Sequence, residues 1–325
     1  MAHYECSQEC SQYCVQRSDC LVHTGGYACS CQRFGFEDVY TWVPNECRLL
    51  EWDAKEFCRV LGNRSLLVLG DSTVSQAAGV LMNYIHLGFW DNPAQGCQTQ
   101  VRFANSDTLV GVEYGVDNRG GEWKALIQYS APDIVLLSTG PHINRPPPLR
   151  TADFTAILSQ ISQEHLERFP NVTLIWKTQA PGGCTDGISE TFPREEFYKS
   201  LTYPNYNWAD FEHWDWVARH EFTGKRNQYV LDMTPLYYRT DAHPGSHYYE
   251  GYTVDATETH PRTPVSRAQP GETQIQDRNR DCLHHCIPGP IGLLPQLLLH
   301  LMRGKNLTRV SSCGAPWVAL LEALG

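Results

Sequence analysis

Two short segments of the chain carry the residue types that serine-based acyl transfer needs. The first is Gly70-Asp71-Ser72, which follows the apolar run 65–70 and precedes a helical stretch. Gly70 allows a sharp backbone turn, and the N–H groups at the start of a helix can stabilise an oxyanion beside Ser72. A serine at this place is also a common helix N-cap. Catalysis therefore requires a partner that takes the proton of the hydroxyl.

The second segment supplies such a partner near the end of the chain. Asp281 precedes His284 by three residues. Its carboxylate can reach the imidazole from the same turn, fix the tautomer and stabilise the imidazolium. We therefore predict a catalytic triad of Ser72, Asp281 and His284. His285 lacks the three-residue offset from Asp281 and ranks well below His284 as the base.

The same segment also contains residue types that bind metals. Cys282 and Cys286 flank two histidines, which is compatible with a zinc site. Disulfide use elsewhere in the chain competes for these thiols, and a disulfide would hold the catalytic turn in the fixed geometry that a triad needs. We expect no metal and no cofactor.

The number and placement of the cysteines indicate an oxidising compartment. Of the 13 cysteines, seven lie within the first 47 residues. Such a density predicts a disulfide framework. Apolar runs typical of a larger hydrophobic core begin only after this cysteine-rich stretch. We therefore divide the chain into a cysteine-rich N-terminal segment over 1–47 and a catalytic domain over 48–325.

The glycosylation sequons point to the same compartment. Three N-x-S/T sequons begin at Asn63, Asn171 and Asn306. We expect a glycoprotein of the secretory pathway, in the Golgi lumen or outside the cell. Residues 1–6 do not resemble a signal peptide, so we expect that the natural N-terminus is missing.

The charge balance excludes some partners. The formal net charge is -10, and no run of Lys and Arg provides the basic face that nucleic-acid binding requires. No stretch of about 18 apolar residues predicts a membrane span. The 9 Trp and 16 Tyr residues offer faces that can pack on sugar rings, although packing within the protein is the commoner use. We expect helix packing for Trp208, Trp214 and Trp216.

Apolar runs alternate with helical stretches from residue 49 onward, which predicts a doubly wound α/β fold. Asp153 suits the N-cap of the second helix, and the last helix has an amphipathic pattern. Ligand sites in such folds lie beyond the carboxyl ends of the parallel strands. The predicted strands are 65–70, 133–138, 172–177 and 229–232, and the predicted helices are 73–86, 153–169, 208–222 and 292–302.

With these residues in view, the chain resembles the trichome-birefringence-like proteins of plants and algae. They belong to the PC-esterase branch of the GDSL/SGNH hydrolase-like fold. The resemblance runs from about residue 20 to residue 300. The segments that carry it are 31–47, 67–72, 133–140, 177–184, 231–244 and 281–289.

The resemblance implies a polysaccharide O-acetyltransferase with an SGNH-like fold. Ser72 would form an acetyl-enzyme and pass the acetyl group from an unidentified donor to a sugar hydroxyl. It also implies disulfides between Cys184 and Cys282 and between Cys31 and Cys286. The candidates for oxyanion or substrate contacts are Gly70, Asp71, Gln76, Gly140, Arg239, Asp241 and His243.

Some positions depart from the family pattern. Ser75 and Gln76 stand where the family usually has Arg and Asn, and Ser138 stands where it has Asn before Thr-Gly. The residues 239–243 can line an acceptor groove, support the triad, or simply pair Arg239 with Asp241.

Two other functions remain open from the sequence. The same triad would serve a carbohydrate acetylesterase, in which water is the acceptor. Residues 23–31 also look like the end of an EGF-like module. That would suit a non-catalytic, extracellular carbohydrate-binding protein on the same scaffold.

Overall fold

The computed structural model describes seven stretches of the chain, and the predicted segment 1–47 lies outside them. The cysteines of the two predicted disulfides, Cys31, Cys184, Cys282 and Cys286, also lie outside. The described residues are 49–89, 91–111, 119–143, 149–182, 206–238, 283–285 and 290–304.

Five strands form one parallel sheet in the order β2-β1-β3-β4-β5. Every residue of β1 and of β3 is buried. This explains their continuous apolar sequence, because helices cover both faces of the sheet. The predicted α/β fold with a parallel sheet is confirmed. The strands are β1 (Leu66–Gly70), β2 (Val101–Asn105), β3 (Ile134–Ser138), β4 (Thr173–Lys177) and β5 (Gln228–Leu231).

In the part of the chain that the structure describes, six α-helices cover the two faces of the sheet. The first, second and last pack on one face, and the third, fourth and fifth pack on the other, so each face has its own apolar core. Short 3₁₀ helices precede α5 and α6, at Trp208–Asp210 and Pro290–Gly292. The α-helices are α1 (Ala54–Leu61), α2 (Ser72–Gly88), α3 (Trp123–Ser130), α4 (Leu149–Arg168), α5 (Phe211–Phe222) and α6 (Leu293–Arg303).

Two helices differ from the prediction. The helix α4 begins at Leu149, so Asp153 lies inside it and is not its N-cap. No Pro or Gly stands between 149 and 153 to stop the helix from extending back towards the proline run. The helix α6 is not amphipathic over its first two turns: Leu293–Leu299 are all buried, because α6 packs against both α1 and α2.

Three elements were absent from the prediction, namely β2, α1 and α3. The strand β2 lies at the edge of the sheet, and only Val101 is fully buried. An edge strand of this kind has no continuous apolar run to reveal it. The helices α1 and α3 have eight residues each, which is shorter than the roughly 10–12 residues over which periodicity separates a helix from other structure.

The strand order creates a crevice at the carboxyl ends of β1 and β3. The chain leaves β1 for β2 on one side of it, whereas β3, β4 and β5 follow on the other side. Connections that diverge in this way leave a gap in which ligands of α/β proteins bind. The Gly70 and Ser138 residues are register partners at this edge, which places Ser72 at the crevice.

A disulfide links Cys58 of α1 to Cys97 in the segment that precedes β2. It spans a sequence separation of 39 residues and ties α1 to the segment that leads into the edge strand. The sequence analysis did not pair these cysteines. Among the described residues, no helix combines the length and the apolar composition that crossing a membrane requires.

Gly70, the last residue of β1, lies close against the main chain of β3. A Cβ atom added there would lie 2.2 Å from the main-chain oxygen of Ser138 and 2.6 Å from Cγ2 of Val74. The oxygen belongs to the neighbouring strand and cannot rotate away. The absence of a side chain at position 70 therefore lets the turn before α2 sit tightly against β3.

We expect Gly70→Ala to lower the free energy of unfolding by about 2–3 kcal/mol, because overpacking against the main chain must displace a strand. Urea unfolding measures this change. Gly304→Ala is the matched control, since its φ is -53° and the nearest atom would lie 3.5 Å from the new Cβ. Equal losses of stability in the two variants would contradict the close approach at Gly70.

Candidate active site

Ser72 is the first residue of α2 and lies two residues after Gly70, the last residue of β1. The N-cap of this helix is Asp71, whose Oδ1 accepts hydrogen bonds from the amides of Thr73 and Val74 at 2.9 and 3.3 Å. The Thr73 hydroxyl donates to the same oxygen at 2.6 Å. Asp71 therefore caps the helix. The Ser72 hydroxyl is not needed as the cap and is available for another contact.

That contact is with His284. The Oγ of Ser72 lies 2.8 Å from Nε2 of His284, across 212 residues of sequence. His284 is only 9% exposed, whereas Ser72 is partly exposed. A neutral imidazole with its proton on Nδ1 can accept the hydroxyl proton at Nε2. Asp281, the predicted third member of the triad, lies outside the described residues and stays a prediction.

The next residue, His285, is bound through its main chain by Gln76 of α2. The Gln76 Nε2 donates to the carbonyl oxygen of His285 at 2.5 Å, and the His285 amide donates to Gln76 Oε1 at 2.9 Å. Gln76 is 3% exposed. The sequence analysis placed Gln76 among the oxyanion and substrate candidates. In the structure, the nitrogen and the oxygen of its side-chain amide are both hydrogen-bonded to the main chain of His285.

A charged group lies buried behind the serine turn. Lys177, the last residue of β4, is 4% exposed and donates to the carbonyl oxygen of Thr178 at 3.1 Å. Burial lowers the pKa of Lys177, and the charges of Asp71 and Asp215 act in the opposite direction. Among the described residues, no donor reaches Oδ2 of Asp71. The lysine charge therefore offsets part of the electrostatic cost of burying this carboxylate.

Asp215 of α5 is the second buried carboxyl group near Lys177. Burial raises the pKa of Asp215 to about 7, against the lowering effects of Arg219, the Tyr237 hydroxyl and the Gln179 amide. Its two oxygens accept from the Gln179 amide at 2.9 and 3.1 Å, and Tyr237 donates to it as well. This carboxyl group thus fastens the segment after β4 to α5.

Gln179 joins the carboxyl ends of β3 and β4. Its side-chain Nε2 donates to Ser138 Oγ at 2.9 Å and to the carbonyl oxygen of Thr139. Ser138 Oγ in turn donates to the carbonyl oxygen of Lys177 at 2.8 Å. All four side chains are buried. Position 138, where the resembled family has Asn, is therefore part of a buried network between the strands.

The segment after β3 is held by Asn207. Its Nδ2 donates to the carbonyl oxygens of Gly140 and Ile143 at 3.0 Å each and to that of Pro141 at 3.3 Å. Asn207 has a φ of 58°, in the left-handed region that asparagine tolerates better than most residues. Gly140 is thereby fixed two residues beyond the end of β3, at the same edge of the sheet as Ser72.

The predicted site residues fall into two groups. In the first group, Ser72 contacts His284, and Gln76 contacts the segment that carries His284. Gly70 and Asp71 lie in the turn before Ser72. Gly140 lies just beyond the end of the neighbouring strand β3. The predicted residues that lie outside the described part of the chain are Arg239, Asp241, His243 and Asp281. Within the described ranges, no group of three His, Cys, Asp or Glu side chains is arranged to hold a metal ion.

Five buried polar residues behind the site had no role predicted from the sequence. The run Lys177-Thr178-Gln179 is polar and directly follows the apolar strand β4. A polar run at the carboxyl end of a buried strand is a usable signal for residues that line or support a site. Asp215 and Asn207 had no comparable signal, because only the packing of α5 against the sheet brings them there.

The three tryptophans near α5 differ in their surroundings. Trp208 and Trp214 are 3% and 0% exposed, which confirms helix packing for both. Trp216 is 50% exposed and stacks with His213 and with His220 on the outer face of α5. It therefore packs on side chains of its own helix and is half-exposed.

No model of a known protein family matches the chain, and no curated protein sequence matches it. Its function must therefore be inferred from the site itself and from the resemblance of its motifs.

Proposed function

We propose that the chain is a serine O-acetyltransferase with an SGNH-like fold, which moves acetyl groups to the hydroxyls of a polysaccharide. The single observation that carries the proposal is the 2.8 Å distance between Ser72 Oγ and His284 Nε2. A separation of this size suits proton transfer from a nucleophile to its general base. The matching order of the sequence motifs supports the choice of acetyl transfer to carbohydrate.

In the first half of the reaction Ser72 acquires the acetyl group. The Oγ atom bonds to the carbonyl carbon of the donor while its proton passes to Nε2 of His284. The tetrahedral intermediate then breaks its bond to the leaving group, which takes the proton from Nε2. The product is an acetyl ester on Ser72.

In the second half the sugar replaces the leaving group. A hydroxyl of the acceptor gives its proton to His284 Nε2, and its oxygen bonds to the ester carbonyl carbon. The bond between that carbon and Ser72 Oγ breaks, and Oγ recovers the proton. Asp281 has the predicted role of holding Nδ1 of His284 and stabilising the imidazolium in both halves.

The negative oxygen of the intermediate needs donors close to Ser72. The amides of Thr73, Val74 and Ser75 are bonded to Asp71, so we assign the Ser72 amide as the oxyanion donor from α2. Gly140 lies on the adjacent strand end and is the candidate for a second donor. The positive end of the helix dipole of α2 adds to this stabilisation.

The compartment is a proposal as well. The disulfide Cys58–Cys97 favours an oxidising environment. The sequon residues Asn63 and Asn171 are exposed, just before β1 and β4, at the edge of the sheet opposite Ser72. Glycans at these positions would leave the proposed site open. Such a protein would act in the Golgi lumen or outside the cell.

We expect a serine-directed fluorophosphonate to label the wild-type protein and not Ser72→Ala, because only an activated hydroxyl reacts. The His284→Ala variant should label roughly 10²- to 10⁴-fold more slowly, which is the usual contribution of a general base. Gel fluorescence against time gives the rates, and far-UV circular dichroism shows that each variant is folded.

Two further variants sharpen this experiment. Ser130→Ala, at the end of α3, removes a hydroxyl remote from the site and should label at the wild-type rate. His285→Ala should label far faster than His284→Ala, since only the main chain of His285 contacts Gln76. Labelling of Ser72→Ala at the wild-type rate would refute the serine mechanism and favour a non-catalytic binding protein.

We expect the protein to acetylate xylan-type oligosaccharides when p-nitrophenyl acetate is the donor. A sugar hydroxyl must then reach the acetyl-enzyme before water does. Mass spectrometry of the oligosaccharides measures the transfer, and an acetate assay measures hydrolysis. Ser72→Ala is the control for uncatalysed acetylation.

The products separate the two enzymatic possibilities. Acetylated oligosaccharide that requires Ser72 supports the transferase. Free acetate without any acetylated sugar would instead assign the same site to an acetylesterase.

A further inference from the structure

We propose that Gln76 is a positioning residue for the general base: its side-chain amide clamps the main chain of His285 and thereby holds His284 over Ser72. This inference rests on the proposed function, because it concerns how the base of that reaction is held. It gives Gln76 a task that neither its residue type nor its place in the sequence indicated.

The geometry of α2 makes the arrangement possible. Ser72 and Gln76 are four residues apart, so they lie one turn apart on the same face of the helix. They contact consecutive residues of one segment: Ser72 contacts the side chain of His284, and Gln76 contacts the main chain of His285. One helix face therefore carries both the nucleophile and the support for its base.

The two hydrogen bonds of Gln76 act as a pair. A primary amide presents a donor and an acceptor in one plane, as a peptide group does. It can therefore bind the N–H and the C=O of the same residue, as a neighbouring strand would. The observed lengths are 2.5 Å and 2.9 Å. Two bonds to one residue fix both its distance from α2 and its rotation about the chain.

Burial makes the clamp difficult to replace. Gln76 and His285 are each 3% exposed, so water has poor access to the main-chain groups if the amide is removed. Leu283, on the other side of His284, is also buried, in the core beneath α3, α4 and α5. His284 is thus held between a packed leucine and a hydrogen-bonded main chain, and its ring has little freedom to turn away from Ser72.

The chemistry of other side chains explains why glutamine suits this position. Asparagine is one methylene shorter and cannot reach both main-chain groups from the same backbone. Leucine has a similar volume but offers neither a donor nor an acceptor. Gln76 is therefore expected to matter through its amide rather than through the space that it fills.

The test is a double-mutant cycle on the rate of fluorophosphonate labelling per folded molecule. We expect Gln76→Ala to lower the rate roughly 10- to 100-fold in the wild-type background, because a small misplacement of the base is costly. In the His284→Ala background the same change should have almost no effect, since no base remains to be misplaced. The cycle consists of the wild type, the two single variants Gln76→Ala and His284→Ala, and the double variant.

Gln228→Ala is the matched control. Gln228 is also buried, at 1% exposure, and its Nε2 donates to the carbonyl oxygen of Ser162 at 2.7 Å. It lies at the start of β5, at the opposite edge of the sheet from Ser72. This variant should lose stability but keep the wild-type labelling rate in its folded fraction.

A second variant covers the case in which Gln76→Ala does not fold. Gln76→Asn retains an amide and one of the two contacts, so it should fold and still label more slowly than the wild type. Equal effects of the Gln76 changes with and without His284 would overturn the positioning role. So would unchanged labelling in both Gln76 variants. Failure of the proposed function has a different signature, namely that Ser72→Ala labels like the wild type.

Discussion

The hydroxyl of Ser72 must meet an imidazole that lies 212 residues further along the chain. Closing a long loop is inexpensive, because each doubling of its length adds only about 0.6 kcal/mol of entropic cost. The stricter requirement is the final distance between the two side chains, since proton transfer needs a heavy-atom distance of about 2.6–3.2 Å. The structure meets this demand with local restraints on both partners. Close packing of the strands sets the turn before Ser72, and buried contacts on either side hold His284.

The carboxyl edge of the sheet also concentrates buried charge. Asp71 caps the helix that begins with Ser72, and Lys177 lies behind it within electrostatic range. Asp215, whose charge also acts on Lys177, has a pKa raised by burial to about 7. Hydrogen bonds from Gln179 connect this group to the end of β3. Dipoles and charges that are fixed before the reaction need no reorganisation during it, which is the usual source of electrostatic catalysis.

The central strands and the turn that carries Ser72 were predictable because their signals are local. An apolar run such as 66–69 is typical of a strand buried on both faces, and the Gly-Asp-Ser turn follows it directly. The edge strand β2 escaped prediction because a half-exposed strand lacks that run. The contact of Gln76 could not be foreseen for a different reason: its partner is a main-chain group distant in sequence, which leaves no trace in residue type. The sequence offered Ser72 as a possible N-cap of α2, whereas the structure assigns the cap to Asp71.

The most direct test of the central claim is to find where the acetyl group resides during turnover. The protein is mixed briefly with p-nitrophenyl acetate, quenched with acid, digested and mapped by mass spectrometry. The account predicts one added acetyl group on the peptide that contains Ser72, with much slower accumulation when His284 is replaced by Ala. An acetyl group carried by another residue, in a protein that still turns over the ester, would contradict it.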